Sequence, residues 1–103
     1  MTLEELEQIV ATRASAPPDE SWTAQLLARG PEYAARKFGE EAVEAVIEAV
    51  RNDPSSLTSE AADVLYHLLV MLRARDVALA DVMEELARRQ SRTGLQEKAS
   101  RPR

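Results

Sequence analysis

The sequence contains no cysteine and few aromatic residues. Among its 103 residues, Phe, Trp and Tyr together account for 4%, whereas hydrophobic residues as a group reach 45%. The lack of cysteine excludes disulfide bonds, thiolate metal sites and cysteine nucleophiles, and it fits a reducing compartment. The hydrophobic content is too high for a disordered chain. We therefore expect one folded domain with an aliphatic core, because this length suits one domain and not two.

Several local patterns are also missing. No apolar run approaches the roughly 20 residues of a transmembrane helix, and the N-terminal segment MTLEELEQIV is acidic and amphipathic, unlike a signal peptide. The sequence has no alternating strand pattern, no Asn-Gly hairpin signal and no glycine-rich phosphate loop. These absences predict a cytoplasmic protein without a membrane partner.

Charge is divided unevenly along the chain. Residues 1–87 carry 7 basic and 17 acidic side chains, whereas residues 88–103 carry 6 basic and 1 acidic side chain. An acidic body repels nucleic acid, so we expect no nucleic-acid partner. The basic end could bind phosphate groups, fold over the acidic body or stay frayed and solvated, and its composition favours the last. We place a single domain at residues 1–91 and a basic C-terminal tail at residues 92–103.

Helix signals dominate what is present. Thr2 and Glu5 have the spacing of a capping box, and Asp53 precedes Pro54 as an N-cap precedes a first-turn proline. These signals predict an all-α fold, a four- to five-helix bundle that dimerisation completes. The hydrophobic periodicity places its helices at residues 2–14, 22–30, 31–51, 54–74 and 80–90.

The long helix at 31–51 has a carboxylate stripe. At about 100° per residue, Glu41, Glu44 and Glu48 fall on one line with Lys37, and Glu40 lies at its edge. An apolar arc occupies the opposite side. Taken alone, this pattern is typical of a solvated face. The arc consists of Phe38, Ala42, Val43, Val46, Ile47 and Val50.

The next helix is apolar in nearly every direction, which predicts a central, buried position. It nevertheless carries Glu60 and Asp63 on one face, with His67 one turn further along. No Lys or Arg lies between Arg51 and Arg73 to neutralise them. A buried carboxylate without a partner costs several kcal/mol, so a cation or a base from another element is expected nearby.

Antiparallel packing of these two helices predicts a metal site. Glu44 and Glu60 flank the connection with 15 residues between them, so Glu41 and Glu44 can meet Glu60 and Asp63. Converging carboxylates repel unless a cation lies among them. Oxygen-only ligands suit Mg²⁺, or Mn²⁺ in its place, and such sites keep positions for water and substrate phosphates. The residues therefore predict a divalent-metal site that handles a phosphorylated ligand.

The spacing EEAVE, 15 residues, EAAD resembles the E-E-x-x-E…E-x-x-D motif of the all-α nucleoside triphosphate pyrophosphohydrolases. The flanking segments SWTAQLLARGPEYAARKFGEEAVEAVIEA, EAADVLYHLLVMLRARDVALADVMEELARR and RTGLQEKASRP resemble the phosphoribosyl-ATP pyrophosphohydrolase family of histidine biosynthesis. The resemblance covers nearly the whole chain. Phe38 departs from the expected aliphatic residue and Trp22 from a common tyrosine, and neither touches the acidic motif.

The resemblance implies Mg²⁺-dependent hydrolysis of phosphoribosyl-ATP to phosphoribosyl-AMP and pyrophosphate. It assigns Glu40 to orienting or deprotonating the attacking water, with a supporting or surface role as the alternative. Lys37 matches a phosphate-contacting lysine, whose alternative is a plain surface pair with a glutamate. By position, the metal ligands are Glu41, Glu44, Glu60 and Asp63.

Further substrate contacts follow from the same resemblance. His67 is either a hydrogen-bonded partner of Asp63, which we favour, or a phosphate contact. Trp22 and Thr23 seat the substrate or anchor the fold. Arg92 and Lys98 reach phosphates, in their own subunit or across a subunit boundary. Family members are oligomeric, so a homodimer or higher homo-oligomer is expected.

Two other functions fit parts of the pattern. A house-cleaning pyrophosphatase acting on non-standard nucleotides shares the acidic motif and the chemistry. A non-catalytic helical module that dimerises through its apolar faces would explain the hydrophobic arcs, but it would leave Glu60 and Asp63 without a reason.

Overall fold

The computed structural model describes residues 1–90 and 94–101, and this part of the chain forms six helices without a strand. The all-α prediction is confirmed. None of these helices is long and apolar enough to cross a bilayer. In chain order they are α1 Leu3–Ala14, α2 Trp22–Ala28, α3 Pro31–Val50, α4 Pro54–Ala74, α5 Leu79–Arg89 and α6 Gly94–Ser100.

Local capping residues start the helices where the sequence predicts. The Thr2 hydroxyl accepts a hydrogen bond from the Glu5 amide at 3.1 Å, and the Glu5 carboxylate accepts one from the Thr2 amide at 3.3 Å. The Asp53 carboxylate accepts from the Ser56 amide at 3.1 Å. These bonds satisfy amides that have no partner within a first helical turn. The starts of α1 and α4 are therefore each fixed by residues three positions apart.

The hydrophobic core lies towards one end of the molecule. It joins α1 and α2 to the N-terminal half of α3, the C-terminal half of α4 and the start of α5. The other halves of α3 and α4 contribute nothing to it, although these two helices form the most extensive helix contact of the fold. The core cluster consists of Val10, Leu26, Ala34, Leu69, Val70 and Leu79.

The C-terminal half of α3 is oriented opposite to the usual amphipathic arrangement. Its carboxylate stripe turns towards α4, where the Glu48 side chain is only 17% exposed. Its apolar stripe is exposed, with Val46 at 61% and Val50 at 81%. The solvated carboxylate face expected from α3 alone is therefore wrong, because the neighbouring helix packs on the polar side. We call Val43, Val46, Ile47 and Val50 the apolar stripe of α3.

The prediction that α4 is buried on all sides is also wrong for the single chain. Only His67, Leu69 and Val70 are buried, and Leu65 is 42% exposed. The other helices cover only part of its circumference, so several apolar side chains keep contact with solvent.

The basic tail differs in part from its expected form. Composition favoured a frayed and solvated segment; residues 94–100 instead form helix α6, and the side chains described on it are exposed. The division into a domain at 1–91 and a tail at 92–103 stays a prediction.

Candidate functional site

Three carboxylates meet where α3 and α4 pack against each other. Oxygen atoms of Glu41 from α3 and of Glu60 and Asp63 from α4 all lie within 4.8 Å of one another. Glu41 and Glu60 are half-buried, whereas Asp63 is exposed. The antiparallel arrangement of consecutive helices brings the two i,i+3 motifs level, as the sequence predicted. We call these three residues the carboxylate cluster.

The cluster is electrostatically unfavourable when it holds no cation. Loss of hydration, a hydrogen bond and charge from Glu44, and the charges of Glu41 and Asp63 together raise the pKa of Glu60 to about 7. Burial is also the main cause that raises the pKa of Glu41, followed by the charges of Glu44 and Asp63. One oxygen of Glu60, Oε2, is buried without a hydrogen-bond partner in the described part of the chain. Among the described residues, this oxygen therefore lacks a hydrogen-bond donor, and the charges around Glu60 that shift its pKa are negative.

The donor set fits a hard divalent cation. Carboxylate oxygens are the ligands that Mg²⁺ and Mn²⁺ prefer, and the partly open position of Asp63 leaves room for water and phosphate oxygens. No Lys or Arg nitrogen lies within ion-pair distance of the cluster among the described residues. The unpartnered Oε2 of Glu60 gives such an ion or its water a specific atom to contact.

Glu44, the fourth predicted ligand, lies at the exposed rim of the cluster. It is outside the group of three whose oxygens approach within 4.8 Å. It nevertheless acts on Glu60, because hydrogen bonding with Glu44 and the charge of Glu44 both raise the pKa of the Glu60 carboxyl. Its role as a ligand stays a prediction.

Lys37 and Glu40 form an ion pair beside the cluster. The Nζ atom of Lys37 lies 3.2 Å from Oε2 of Glu40, and Arg36 Nε lies 3.6 Å from the other carboxylate oxygen. The hydrogen bond that Lys37 donates to Glu40 is the largest cause that raises the pKa of Lys37, which favours its cationic form. This ion pair matches the alternative that the sequence left open, a surface role for both residues. The roles of Glu40 towards water and of Lys37 towards phosphate stay predictions.

His67 is buried on the cluster side of α4. Its Nδ1 atom lies 2.8 Å from the main-chain oxygen of Asp63, and its Nε2 atom is buried without a partner in the described residues. The expected partnership with Asp63 therefore involves the carbonyl, and the Asp63 carboxylate remains available to the cluster. The Tyr66 ring meets the His67 ring edge-on, with 5.0 Å between centroids.

Trp22 and Thr23 lie at the wall of a neighbouring cavity of about 490 Å³. Thr23 is 1% exposed and its hydroxyl lies 2.5 Å from the Tyr66 hydroxyl, so it braces the wall. Trp22 is 52% exposed. Sequence reasoning missed Tyr66, which lines this cavity and contacts His67. Its position beside His67, three residues after Asp63, was the available signal.

Two basic residues of the tail were predicted to contact phosphate. Lys98 is exposed on α6. Arg92 lies outside the described residues.

Helices α3 and α4 form an antiparallel pair that carries E-E-x-x-E on α3 and E-x-x-D on α4, and three of these carboxylates converge. This arrangement defines the class of all-α nucleoside triphosphate pyrophosphohydrolases. Comparison with known proteins gives the family. The model of the phosphoribosyl-ATP pyrophosphohydrolase family matches residues 3–90, and the chain belongs to this family.

Individual relatives are similar over nearly their full length. The phosphoribosyl-ATP pyrophosphatase of Dinoroseobacter shibae is 68% identical over 99 residues, which cover 96% of this chain and 97% of the relative. The protein of the same name from Paracoccus denitrificans is 64% identical, with 96% and 92% covered. That of Agrobacterium fabrum is 61% identical over 101 residues, with 98% and 94% covered.

Proposed function

We propose that this protein hydrolyses phosphoribosyl-ATP to phosphoribosyl-AMP and pyrophosphate in histidine biosynthesis, with Mg²⁺ as its cofactor and Mn²⁺ as a substitute. The observation that carries the proposal is the carboxylate cluster, in a chain that matches phosphoribosyl-ATP pyrophosphatases over nearly its whole length. The reaction cleaves the anhydride between the α- and β-phosphates, with water supplying the new oxygen.

The carboxylate cluster would hold the cation, with Glu44 at the rim as a further ligand. The ion supplies charge neutralisation for the phosphoryl oxygens and lowers the pKa of bound water. Lys37 contacts the departing pyrophosphate, and Glu40 orients the attacking water or accepts its proton. Lys37 and Glu40 are only 3.2 Å apart without substrate. When a phosphate binds, Lys37 therefore exchanges its contact with Glu40 for a contact with the phosphate.

The neighbouring cavity would seat the rest of the substrate. Trp22 stacks on the base, because an exposed indole offers a flat apolar face. Thr23 shapes the wall through Tyr66. Lys98 and Arg92 approach phosphates from the tail, and His67 contacts Tyr66 of the cavity wall.

A homodimer is the assembly that we propose. The apolar stripe of α3 is four side chains, each 46–81% exposed, at i, i+3, i+4 and i+7. The radius of gyration is 15.6 Å, against about 13 Å for a compact single chain of this length. An exposed stripe of this kind marks a protein interface. We place the dimer in the cytoplasm, where the lack of cysteine fits the reducing conditions.

The nearest alternative is a house-cleaning nucleotide pyrophosphatase, which the same cluster would serve. The test offers phosphoribosyl-ATP, dCTP, dUTP and dITP side by side with Mg²⁺ and measures pyrophosphate release. We expect phosphoribosyl-ATP to give the highest kcat/KM, and chelation of the metal to stop turnover. Faster turnover of a deoxynucleotide would favour the alternative. No turnover together with no calorimetric Mg²⁺ binding would favour a helical dimerisation module.

A further inference from the structure

Two buried polar atoms on one face of α4 have no hydrogen-bond partner in the described residues. They are Oε2 of Glu60 and Nε2 of His67. Glu60 and His67 are seven positions apart, or about two helical turns, so both lie on the side that carries Asp63. A buried polar atom without a partner costs free energy, and it needs an explanation when it occurs in a native structure. Both atoms belong to the region in which the proposed cation site lies.

The hydrogen bond of the other ring nitrogen fixes the tautomer of His67. Nδ1 lies 2.8 Å from the Asp63 carbonyl oxygen. A carbonyl oxygen only accepts, so Nδ1 donates and carries the proton. In the neutral ring, Nε2 then has a lone pair and requires a donor. The side chain is 7% exposed, so bulk water does not provide that donor.

The packing around the ring holds it in this orientation. Tyr66 contacts it edge-on at 5.0 Å between centroids, and the Tyr66 hydroxyl is anchored 2.5 Å from the Thr23 hydroxyl. The ring is close enough to Glu41 that a positive charge on it would lower the pKa of that carboxyl. Carboxylates accept hydrogen bonds, and a hydrated dication brings water molecules that donate them.

We propose that His67 is a positioning residue of the cation site, whose unprotonated Nε2 accepts a hydrogen bond from a water of the bound divalent cation. This inference rests on the cation site of the proposed function. Histidines that bind a metal directly have their second nitrogen fixed by a carbonyl or carboxylate, and Nδ1 of His67 is fixed by a carbonyl in the same way.

Two substitutions separate this role from a structural one. His67→Gln keeps a polar acceptor at the distance of Nε2 from the backbone and loses the donor at Nδ1. His67→Asn keeps a donor at the distance of Nδ1 and loses the far acceptor. We expect His67→Asn to weaken Mg²⁺ binding about tenfold while His67→Gln stays within about twofold of wild type, as for other residues that contact metal-bound groups. Melting temperature should follow the opposite order, because only Asn restores the bond to Asp63.

Nitrogen chemical shifts provide the readout that needs no substrate. In mildly alkaline buffer without metal, we expect His67 to carry its proton on Nδ1. Addition of Mg²⁺ should move the Nε2 signal in the direction of hydrogen-bond acceptance and leave Nδ1 nearly unchanged. A proton on Nε2, an Nε2 signal that ignores Mg²⁺, or equal Mg²⁺ affinities in both variants would overturn the inference while leaving the proposed function intact. Absence of Mg²⁺ binding to the wild-type protein would overturn both.

Discussion

Glu60 experiences the strongest conflict among the individual residues of the site. It is half-buried, one of its oxygens has no partner in the described chain, and Glu41, Glu44 and Asp63 surround it with negative charge. A cation removes all three penalties at once, because it restores both charge balance and oxygen coordination. Glu60 therefore favours metal binding and lowers the stability of the metal-free protein.

The pKa of Glu60 predicts how the metal-free protein responds to pH. Its folded-state pKa of about 7 lies above the ordinary value of 4.5, so the folded state binds a proton more tightly than the unfolded state. The stabilisation is present in full below the ordinary pKa and is lost as pH rises through about 7. We expect Glu60→Gln to remove this loss, so that with chelator present its melting temperature exceeds wild type above neutrality.

Thermal unfolding across this pH range checks the prediction, with Glu84→Gln on the exposed side of α5 as a matched control that should follow the wild-type curve. A Glu60→Gln profile that runs parallel to wild type would show that Glu60 does not titrate in this range.

Asp63 should be required for turnover and not for folding. It is exposed and its side chain makes no core contact, so Asp63→Asn should keep helix content near wild type. Loss of one anionic oxygen from the cluster should lower kcat/KM by about a hundredfold or more. Pyrophosphate release and far-ultraviolet circular dichroism measure the two effects. Glu44→Gln at the rim should also abolish turnover without unfolding, and full Mg²⁺-dependent activity in either variant would contradict the site assignment.

At the scale of the helix, Gly30 determines how α3 begins. It has φ of 96° and ψ of 168°, and it is the N-cap before Pro31. Side-chain residues avoid this backbone region because of clashes with Cβ, and the region is essentially specific to glycine. The chain can thus pass from α2 to α3 through only two residues, Arg29 and Gly30.

Gly30→Ala should destabilise the protein by about 1–3 kcal/mol, because alanine must occupy a strained backbone conformation. Gly39 in the interior of α3 is the matched control, since a Cβ there meets nothing within 4 Å. Gly39→Ala should stabilise the helix by about 0.5–1 kcal/mol. Urea unfolding with shared slope values measures both changes. A stabilising Gly30→Ala would mean that the α2–α3 link adopts another conformation.

Local and long-range features of the helices differ in how far the sequence predicts them. The caps at Thr2 and Asp53 were predictable because each bond joins residues three apart. The orientation of α3 was not, because a helical wheel identifies two faces and not which of them a neighbour covers. The prediction that α4 is buried on all sides failed for the single chain, because the described helices cover only part of its circumference.

The site shows the same division. Three of the four predicted ligands converge because antiparallel packing follows from a short link. His67 contacts the carbonyl of Asp63 and not its carboxylate, and this choice depends on a ring rotation that sequence spacing does not determine. The contacts of Tyr66 involve its ring edge and its hydroxyl, which only tertiary packing brings into place.

For the whole molecule, the proposed dimer makes the apolar stripe of α3 its most sensitive surface. Val46 is 61% exposed at the middle of the stripe. Val46→Lys should leave the fold of the single chain intact and shift the protein from dimer to monomer, because a lysine ammonium cannot be buried without a partner. Sedimentation velocity at several concentrations measures the change.

Gln8→Lys on the exposed side of α1 is the control for added charge and should remain dimeric. A wild-type protein that sediments as a monomer at every concentration would contradict the proposed assembly.

Helix α3 presents carboxylates on one side and its apolar stripe on the other. If the proposed dimer orders this helix, thermodynamic reciprocity follows: whatever tightens subunit association must tighten ion uptake by an equal factor. Dilution would then weaken magnesium binding and so inhibit the protein, and magnesium would promote dimer assembly. The ion and the partner subunit would have this effect on each other although they bind opposite sides of the helix.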